Sequence, residues 1–117
     1  MPDPGSRFAV SATTVFDGER FLSDHCVIVD DGTVTQVLPE KRCPAGVDRV
    51  MLAGGTLAPG FIDLQVNGGG DVLFNNQPTL ETLATMQAAH RATGTTSMLP
   101  TLLSDTLHCR QQAVAAV

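Results

Sequence analysis

Short stretches of β-branched and aromatic residues alternate with turn dipeptides in the first half of the chain. The stretches 8–16 and 21–29 flank Asp17-Gly18, which predicts a β-hairpin because glycine accepts the positive φ of a tight turn. A second turn, Asp31-Gly32, precedes a further strand over 33–38. The pattern therefore predicts a small β-domain at the start of the chain.

Longer units replace this pattern from about residue 57 onward. Residues 61–66 are mostly apolar, which is typical of a strand buried on both faces. A helix follows, capped by Thr79 and stopped by Gly94, and its apolar stripe contains Leu80, Leu83, Ala84 and 86–88. A second strand spans 95–103. This order of strand and helix predicts a parallel sheet built from βαβ crossovers.

The last segment predicts a second helix, which Ser104 or Asp105 can cap. Its apolar residues Leu107, Val114 and Val117 share one face at helical spacing. Two β/α units neither cover a parallel sheet on both faces nor close it into a barrel, which takes roughly 250 residues. We therefore expect an α/β fold in an incomplete chain.

Composition narrows the classes of function. The chain has 117 residues, and 7 Lys+Arg against 12 Asp+Glu give a formal net charge of −5, which argues against a nucleic-acid partner. No apolar run reaches the ~20 residues of a membrane helix, so we expect no membrane partner and no export. Cys26, Cys43 and Cys109 are odd in number and lack a C-x-x-C pattern, which argues against a disulfide framework and a thiolate zinc site. A cytoplasmic location is the simplest expectation.

The polar residues with the clearest placement follow the strand over 61–66. Gln65 and Asn67 are two positions apart, so they project to the same side where the strand ends and the glycine run beginning at Gly68 starts. Asp63 shares this face but lies deeper, where we expect it to accept backbone hydrogen bonds. From the residues alone, a polar strand end whose side chains satisfy the turn backbone is favoured for Gln65 and Asn67 over an active-site role.

Other candidate chemistry is weak. The three histidines, His25, His90 and His108, have no short metal-ligand spacing, and we interpret His90 and His108 as solvent-facing or helix-packing residues. The glycine run lacks the Lys-Ser/Thr of a P-loop and the spacing of a dinucleotide-binding helix. A turn that needs backbone freedom explains it.

Two blocks of sequence carry a family resemblance that covers residues 10–117. Pro-Gly-Phe-Ile-Asp at 59–63, followed by two polar residues, resembles the first barrel strand of the amidohydrolase superfamily, where the polar pair is usually His-x-His and binds a divalent metal. Here the pair is Gln65 and Asn67. That variant, with Gly68 and the blocks 72–75 and 94–101, resembles the N-acetylglucosamine-6-phosphate deacetylase family.

The resemblance implies the fold and the chemistry. It implies part of a small β-sandwich domain over 1–56 and, over 57–117, the first two β/α units of a TIM-type amidohydrolase barrel. It also implies metal-dependent removal of the acetyl group from a small-molecule amino-sugar phosphate, with Gln65, Asn67 and Gly68 as active-site wall. One divalent ion, Zn²⁺, would be bound by residues beyond Val117, because neutral amides are poor ligands beside imidazole. The catalytic acid and base would also lie beyond Val117, so the isolated chain is expected to be inactive, and the complete protein is expected to be a homodimer.

Two alternatives stay open at this point. The chain could be a non-catalytic β-plus-α fragment or association module, because an unfinished sheet has an unpaired edge and uncovered apolar faces. It could instead begin a different amidohydrolase, such as a dihydroorotase-like or dipeptidase-like member. The Gln-x-Asn pair and the Leu-Pro-Thr block at 99–101 favour the deacetylase.

Overall fold

The computed structural model describes residues 2–3 and 5–117. The chain divides into two compact units, the first ending at Pro59 and the second spanning Gly60–Val117. Among the residues described, no helix has the length and apolar character needed to cross a membrane. The two units use different architectures.

A four-stranded mixed sheet forms the first unit. Its strands lie in the order β3-β2-β1-β4, in which β1, β2 and β3 pair antiparallel and β4 pairs parallel with β1. The strand bounds are Phe8–Phe16 for β1, Phe21–Asp30 for β2, Thr33–Pro39 for β3 and Asp48–Met51 for β4. A short 3₁₀ helix at Glu40–Arg42 follows β3.

Both predicted turns are confirmed. Gly18 has φ +107°, and the Asp17 carboxylate accepts the backbone N–H groups of Arg20 at 2.8 Å and Glu19 at 2.9 Å. These hydrogen bonds, that from Arg20 first, lower the pKa of Asp17 below its ordinary value. The second turn places both Asp31 and Gly32 in the left-handed region, at φ +46° and +70°, as a type I′ hairpin requires.

Pro44 and Gly46 favour a loop over 41–48, and the structure differs from a simple loop at both ends of that range. A 3₁₀ turn already includes Lys41 and Arg42, and Asp48 begins β4. The chain then stays beside β1, since the Leu57 N–H donates to the Thr14 carbonyl at 2.9 Å. The parallel pairing of β4 with β1 joins residues 40 positions apart, such as Phe8 and Asp48. The local sequence pattern does not predict the pairing of β4 with β1.

The sheet of the first unit has apolar side chains on both faces. One face is centred on the buried residues Ala9, Cys26 and Ile28, against which Leu38, Cys43 and Val47 pack. The other is centred on Ala12, Val15 and Val27, with Leu22, Leu52 and Leu57 packed against them. Burial of both faces explains why the strands do not show a clean alternation of apolar and polar residues.

The second unit contains the predicted order of strand, helix, strand and helix. Its main strands pair in parallel, as expected for a βαβ crossover, and a small antiparallel hairpin precedes the first helix. The bounds are Phe61–Val66 for β5, Gly68–Gly69 for β6, Val72–Leu73 for β7, Leu80–Arg91 for α1, Thr95–Pro100 for β8 and Leu107–Ala116 for α2. The buried core consists of Val66, Phe74, Met86, Ala113 and Ala116.

The prediction that β5 is buried on both faces is wrong for this chain. Phe61, Ile62 and Leu64 are 67%, 69% and 70% exposed. Among the described residues, α1 packs mainly against β8 and the β6–β7 hairpin, so most of both faces of β5 lacks a covering layer. The second strand is also shorter than predicted, because β8 ends at Pro100.

The prediction for the second helix is wrong in its cap and in its packing face. Thr106, not Ser104 or Asp105, caps α2, and its hydroxyl accepts the Cys109 N–H at 3.2 Å. The buried positions are Cys109, Ala113 and Ala116, whereas the predicted face of Leu107, Val114 and Val117 is exposed. Small residues form the packed face because they let the helix approach the core closely.

The predicted cap of α1 is confirmed. The Thr79 hydroxyl accepts the Thr82 N–H at 3.3 Å, which satisfies one of the free donors of the first turn. The helix ends at Arg91, and Gly94, at φ +100°, lies three residues past that end. Of the predicted apolar stripe, Met86 is buried and Leu80 is exposed.

Replacing Thr79 by alanine removes the cap acceptor and leaves the Thr82 N–H without a partner. We expect the Thr79→Ala variant to lose about 1 kcal/mol of unfolding free energy, measured by chemical denaturation. Thr79→Ser keeps the hydroxyl and is the matched control, expected to stay within a few tenths of a kcal/mol of the wild type. Equal losses in the two variants would contradict a capping role.

Candidate functional site

The carboxyl ends of β5 and β8 lie together because the two strands are parallel. After the strands, the Thr101 N–H donates to the Val66 carbonyl at 2.8 Å, so the pairing continues one step past β8. In sheets of parallel strands, this edge is where ligands bind. Gln65, in β5, and Asn67, the first residue after β5, lie at this edge. They are two positions apart, so their side chains project to the same side.

Gln65 is exposed and its side chain makes no hydrogen bond to any described residue. Its backbone N–H donates to the Asp63 carboxylate at 3.1 Å. Asp63 therefore has the backbone-accepting role that the sequence predicts for it. The Gln65 carboxamide is left with all of its donors and acceptors available to a ligand.

Asn67 is half-buried and held in place. Its side-chain Nδ2 donates to the Thr101 carbonyl at 3.0 Å, and its backbone carbonyl accepts the Phe74 N–H at 2.8 Å. These contacts fix the carboxamide plane and leave Oδ1 free to accept a hydrogen bond. Asn67 thus joins the end of β5 to the segment that follows β8.

Gly68 lies where backbone segments approach closely. A Cβ at this position would meet the Val72 carbonyl oxygen and the Leu73 side chain, so only glycine fits. The Gly68 carbonyl accepts a hydrogen bond from His90 Nε2 at 2.8 Å. His90 therefore packs α1 against the glycine loop, consistent with its predicted helix-packing role, and His108 is exposed.

Asn75 connects the loops that follow β7 and β8. Its carboxamide pairs with the backbone of Leu103, as the Leu103 N–H donates to Oδ1 at 2.9 Å and Nδ2 donates to the Leu103 carbonyl at 3.1 Å. Nδ2 also donates to the Asp105 carboxylate at 2.8 Å. The Cys109 thiol donates to the Asn75 carbonyl at 3.5 Å. One side chain thus fixes the loop that leads into α2.

The sequence predicts Gln65, Asn67 and Gly68 at the strand end and a packing role for His90, but it predicts neither the partner of His90 nor those of Asn75. Their partners are 22 and 28 residues away in the chain. A single sequence carries no signal for such pairs. The sequence gives Asn75 no role beyond its place in the block 72–75.

The concave surfaces of the second unit do not coincide with the polar pair. A hollow of about 620 Å³ is lined mainly by apolar residues, among them Phe74, Leu102, Leu103 and Val114. Neither Gln65 nor Asn67 lines it. We interpret this hollow as an uncovered continuation of the apolar core beside α2.

The described side chains do not form a site for a divalent ion. Across residues 2–3 and 5–117, no group of three or more His, Cys, Asp or Glu side chains is placed to hold a metal. Gln65 and Asn67 offer neutral carboxamides, which bind Zn²⁺ more weakly than imidazole does. What the edge of β5 and β8 offers is hydrogen bonding to a ligand.

Comparison with known proteins shows which class of protein the chain resembles. Residues 8–57 match the family described as the NagA composite domain. The chain as a whole matches the N-terminal portion of amino-sugar-phosphate deacetylases, in sequence and in structure. The resemblance predicted from the blocks around residues 59–68 and 94–101 is confirmed.

Particular relatives agree with this class. The chain is 46% identical over 99 residues to N-acetylgalactosamine-6-phosphate deacetylase of Shewanella sp. (strain ANA-3), covering 82% of this chain and 25% of the relative. It is 36% identical over 98 residues to N-acetylglucosamine-6-phosphate deacetylase of Haemophilus influenzae, covering 84% and 26%. The chain thus spans about a quarter of the length of these curated relatives.

Solved structures give the same result. The crystal structure of N-acetylglucosamine-6-phosphate deacetylase from Pasteurella multocida superposes with a TM-score of 0.87 at 32% identity, covering 94% of this chain and 29% of that one. The corresponding enzyme from Mycobacterium smegmatis has a TM-score of 0.81 at 28% identity, covering 93% and 30%. The mixed α/β architecture is therefore that of the N-terminal part of these deacetylases.

Alanine at Asn75 should release Asp105. The hydrogen bond from Asn75, followed by that from the Thr106 N–H, holds the pKa of Asp105 below its ordinary value of 3.8. We expect the pKa of Asp105 to rise toward 3.8 in Asn75→Ala, measured by NMR titration of the side-chain carboxyl carbon. Because a lowered pKa stabilises the fold above the unfolded-state pKa and the benefit is lost as the pH falls through the folded-state value, the acid dependence of stability should also weaken in this variant.

Asn76→Ala is the matched control for this titration, because Asn76 is the exposed neighbour of Asn75. Its effect on the pKa of Asp105 should be negligible. An unchanged pKa of Asp105 in Asn75→Ala would show that the observed hydrogen bond does not govern the carboxylate.

A side chain at Gly68 should disrupt the loop beside the polar pair. We expect Gly68→Ala to lose about 1–3 kcal/mol of unfolding free energy, because the added methyl group meets backbone that cannot move aside cheaply. Gly54→Ala is the control, since a Cβ at Gly54 has no atom within 4 Å. Denaturant unfolding measures both, and hydrogen exchange of β6 and β7 should report the local loss. A Gly68→Ala variant as stable as Gly54→Ala would refute the close approach.

Proposed function

We propose that this chain is the N-terminal portion of a metal-dependent hydrolase that converts N-acetylglucosamine 6-phosphate into glucosamine 6-phosphate and acetate. The observation that carries the proposal is the placement of Gln65 and Asn67 at the carboxyl end of a parallel strand, in a chain that matches deacetylases over its length. In this proposal, Gln65, Asn67 and Gly68 form one wall of the active site.

The chemistry of the wall follows from its hydrogen-bonding groups. Hydrolysis of an acetamide adds water to the carbonyl carbon, breaks the C–N bond and transfers a proton to the leaving amine. The exposed Gln65 carboxamide can donate to and accept from sugar hydroxyl groups, and Asn67 Oδ1 can accept one hydrogen bond. Gly68 lets the β6–β7 hairpin close beside these two side chains, because a Cβ there would meet the Val72 carbonyl oxygen. These residues would bind and orient the substrate, and the proton-transfer groups would lie beyond Val117.

The proposal includes a divalent ion, Zn²⁺, held by residues beyond Val117. When bound, such an ion polarises a carbonyl and lowers the pKa of water. An adenosine deaminase from Xanthomonas campestris, solved with bound zinc, shares the fold of this chain at 16% identity. The fold proposed for the complete protein is a TIM-type amidohydrolase barrel beginning near residue 57, preceded by a small β-sandwich domain. We also propose that the complete protein is a homodimer located in the cytoplasm.

A second candidate substrate is N-acetylgalactosamine 6-phosphate. The relative that is 46% identical carries that activity in its name, whereas the relative that is 36% identical is named for the glucosamine compound. The two sugars differ only in the orientation of one hydroxyl group. Discrimination between them requires a polar group that pairs with one orientation, and mispairing can cost several kcal/mol.

Acetate release tests both substrates directly. The product of the complete reading frame that encodes this chain should be assayed with each sugar phosphate, before and after removal of metal by a chelator and after addition of Zn²⁺. We expect release from at least one of them, lost on chelation and restored by Zn²⁺. Absence of release from both substrates with Zn²⁺ present would defeat the proposal and favour a non-catalytic module or another amidohydrolase.

Gln65→Leu tests the wall in the same protein. We expect a loss of at least about tenfold in kcat/KM, because one or more hydrogen bonds to the substrate disappear. Thermal unfolding should be unchanged, since the Gln65 side chain is exposed and has no partner among the described residues. Gln87→Leu, on the exposed surface of α1, is the matched control with wild-type activity expected. Wild-type kcat/KM in Gln65→Leu would remove Gln65 from the active site.

A further inference from the structure

Two cysteines lie together in the core of the first unit. Cys26, in the middle of β2, is completely buried beside Ala9 and Ile28. Cys43 follows the 3₁₀ helix, is half-buried, and packs against the same cluster. Both cysteines therefore belong to the packing on one face of the sheet, although 17 positions separate them in the chain. Cys43 is therefore partly accessible to solvent, whereas Cys26 is not.

Charged groups surround the accessible sulfur. Arg49 pairs with Ala9 across β1 and β4, so its side chain lies on the sheet face against which Cys43 packs, and it forms an ion pair with the Glu40 carboxylate at 2.8 Å. The contact with Cys43 is the main cause that raises the pKa of Arg49. The Cys43 N–H donates to the Glu40 carbonyl at 3.1 Å, which holds the residue in place. A guanidinium in this position stabilises negative charge that develops on sulfur during a reaction.

We propose that Cys43 and Cys26 form an oxidation site for hydroperoxides, at which Cys43 is oxidised first and Cys26 then closes an intramolecular disulfide. The sulfur of Cys43 attacks the terminal peroxide oxygen, the O–O bond breaks, and water or an alcohol leaves with the proton. Cys43 is then a sulfenic acid. The Cys26 sulfur attacks the Cys43 sulfur, the S–O bond breaks, and the hydroxyl group leaves as water with the Cys26 proton. The two thiols lose two electrons in total, and the peroxide gains them.

The environment of Cys26 suits the resolving role. Burial, followed by the contact with Cys43, raises the pKa of Cys26 to about 11. Cys26 therefore stays a thiol in the reduced chain and does not compete for the oxidant, because the thiolate is the reactive form. Proximity to Cys43 compensates for its low intrinsic reactivity once the sulfenic acid has formed.

Cys109 provides an internal comparison. It lies in the second unit, donates to the Asn75 carbonyl, and has Asp105 as its charged neighbour. Burial, then the Asp105 charge, raises the pKa of Cys109. No other thiol lies in its unit. The three cysteines therefore differ in the features that the proposal requires.

Mass spectrometry of the 117-residue chain tests the proposal. The reduced chain is treated with stoichiometric hydrogen peroxide at neutral pH, quenched, denatured and alkylated. We expect a mass loss of about 2 Da before alkylation and a single alkylated cysteine, Cys109. Peptide mapping should find the Cys26–Cys43 disulfide. The same treatment in concentrated guanidinium chloride should lose this preference, because the folded geometry produces it.

Single variants separate the two roles. In Cys26→Ser, the sulfenic acid has no resolving partner, so dimedone should label Cys43. In Cys43→Ser, Cys26 should stay reduced at the same peroxide concentration. Cys109→Ser is the matched control and should form the disulfide as readily as the wild type.

Two outcomes overturn the proposal. The first is a folded-state product in which disulfides to Cys109 are as frequent as the Cys26–Cys43 disulfide, which would mean that the packing does not select the pair. The second is recovery of Cys26 and Cys43 as thiols or as separate higher oxides, with no disulfide between them. Neither result depends on deacetylase activity, so the two proposals fail independently.

Discussion

The parallel pairing of β5 with β8 is the constraint on which the second unit depends. It brings the ends of two strands, separated by a helix and about 30 residues, to one edge. The edge is then extended by two hydrogen bonds, from the Thr101 N–H to the Val66 carbonyl and from Asn67 Nδ2 to the Thr101 carbonyl. Without this pairing, Gln65 and Asn67 would be two polar residues on an isolated strand. With it, they lie at the edge where parallel sheets bind ligands.

The loops beyond this edge are held by side chains, because glycine-rich backbone has little order of its own. His90 fixes the Gly68 carbonyl from α1, and Asn75 fixes the backbone of Leu103 from the end of the β6–β7 segment. The first contact joins the glycine loop to α1 itself, and the second joins the segment before α1 to the loop after β8. The site is therefore positioned from both sides of the crossover, which gives the exposed Gln65 a stable setting for binding a ligand.

Local signals account for the parts of the fold that the sequence predicts. Asp17-Gly18 and Asp31-Gly32 determine their turns within four residues, and Thr79 caps α1 three residues from its partner. Features that depend on distant chain escape prediction. Nothing near Asp48 indicates that β4 pairs with β1, and Asp105 looks like a cap but is engaged by Asn75, which leaves Thr106 to cap α2.

The same division applies to the candidate site. Alternate residues along a strand point to the same side, which places Gln65 and Asn67 together. The family resemblance then predicts that this side faces the active site. The periodicity along the strand does not determine the burial of β5, because burial depends on the layers that cover the two faces of the sheet. Phe61, Ile62 and Leu64 have the composition of a central strand, yet two thirds or more of each side chain is exposed.

The residue types along β5 explain how the strand can serve both packing and chemistry. Its first four positions, apart from Asp63, are apolar, and carboxamides appear only at Gln65 and Asn67. A carboxamide carries no charge, so it neither repels a phosphate nor requires a counter-ion when a ligand covers it. It also supplies both a donor and an acceptor, which an imidazole bound to a metal cannot do for a substrate. Under the proposed function, a Gln-x-Asn pair therefore offers hydrogen bonding to a ligand at a position where a His-x-His pair would offer metal ligands.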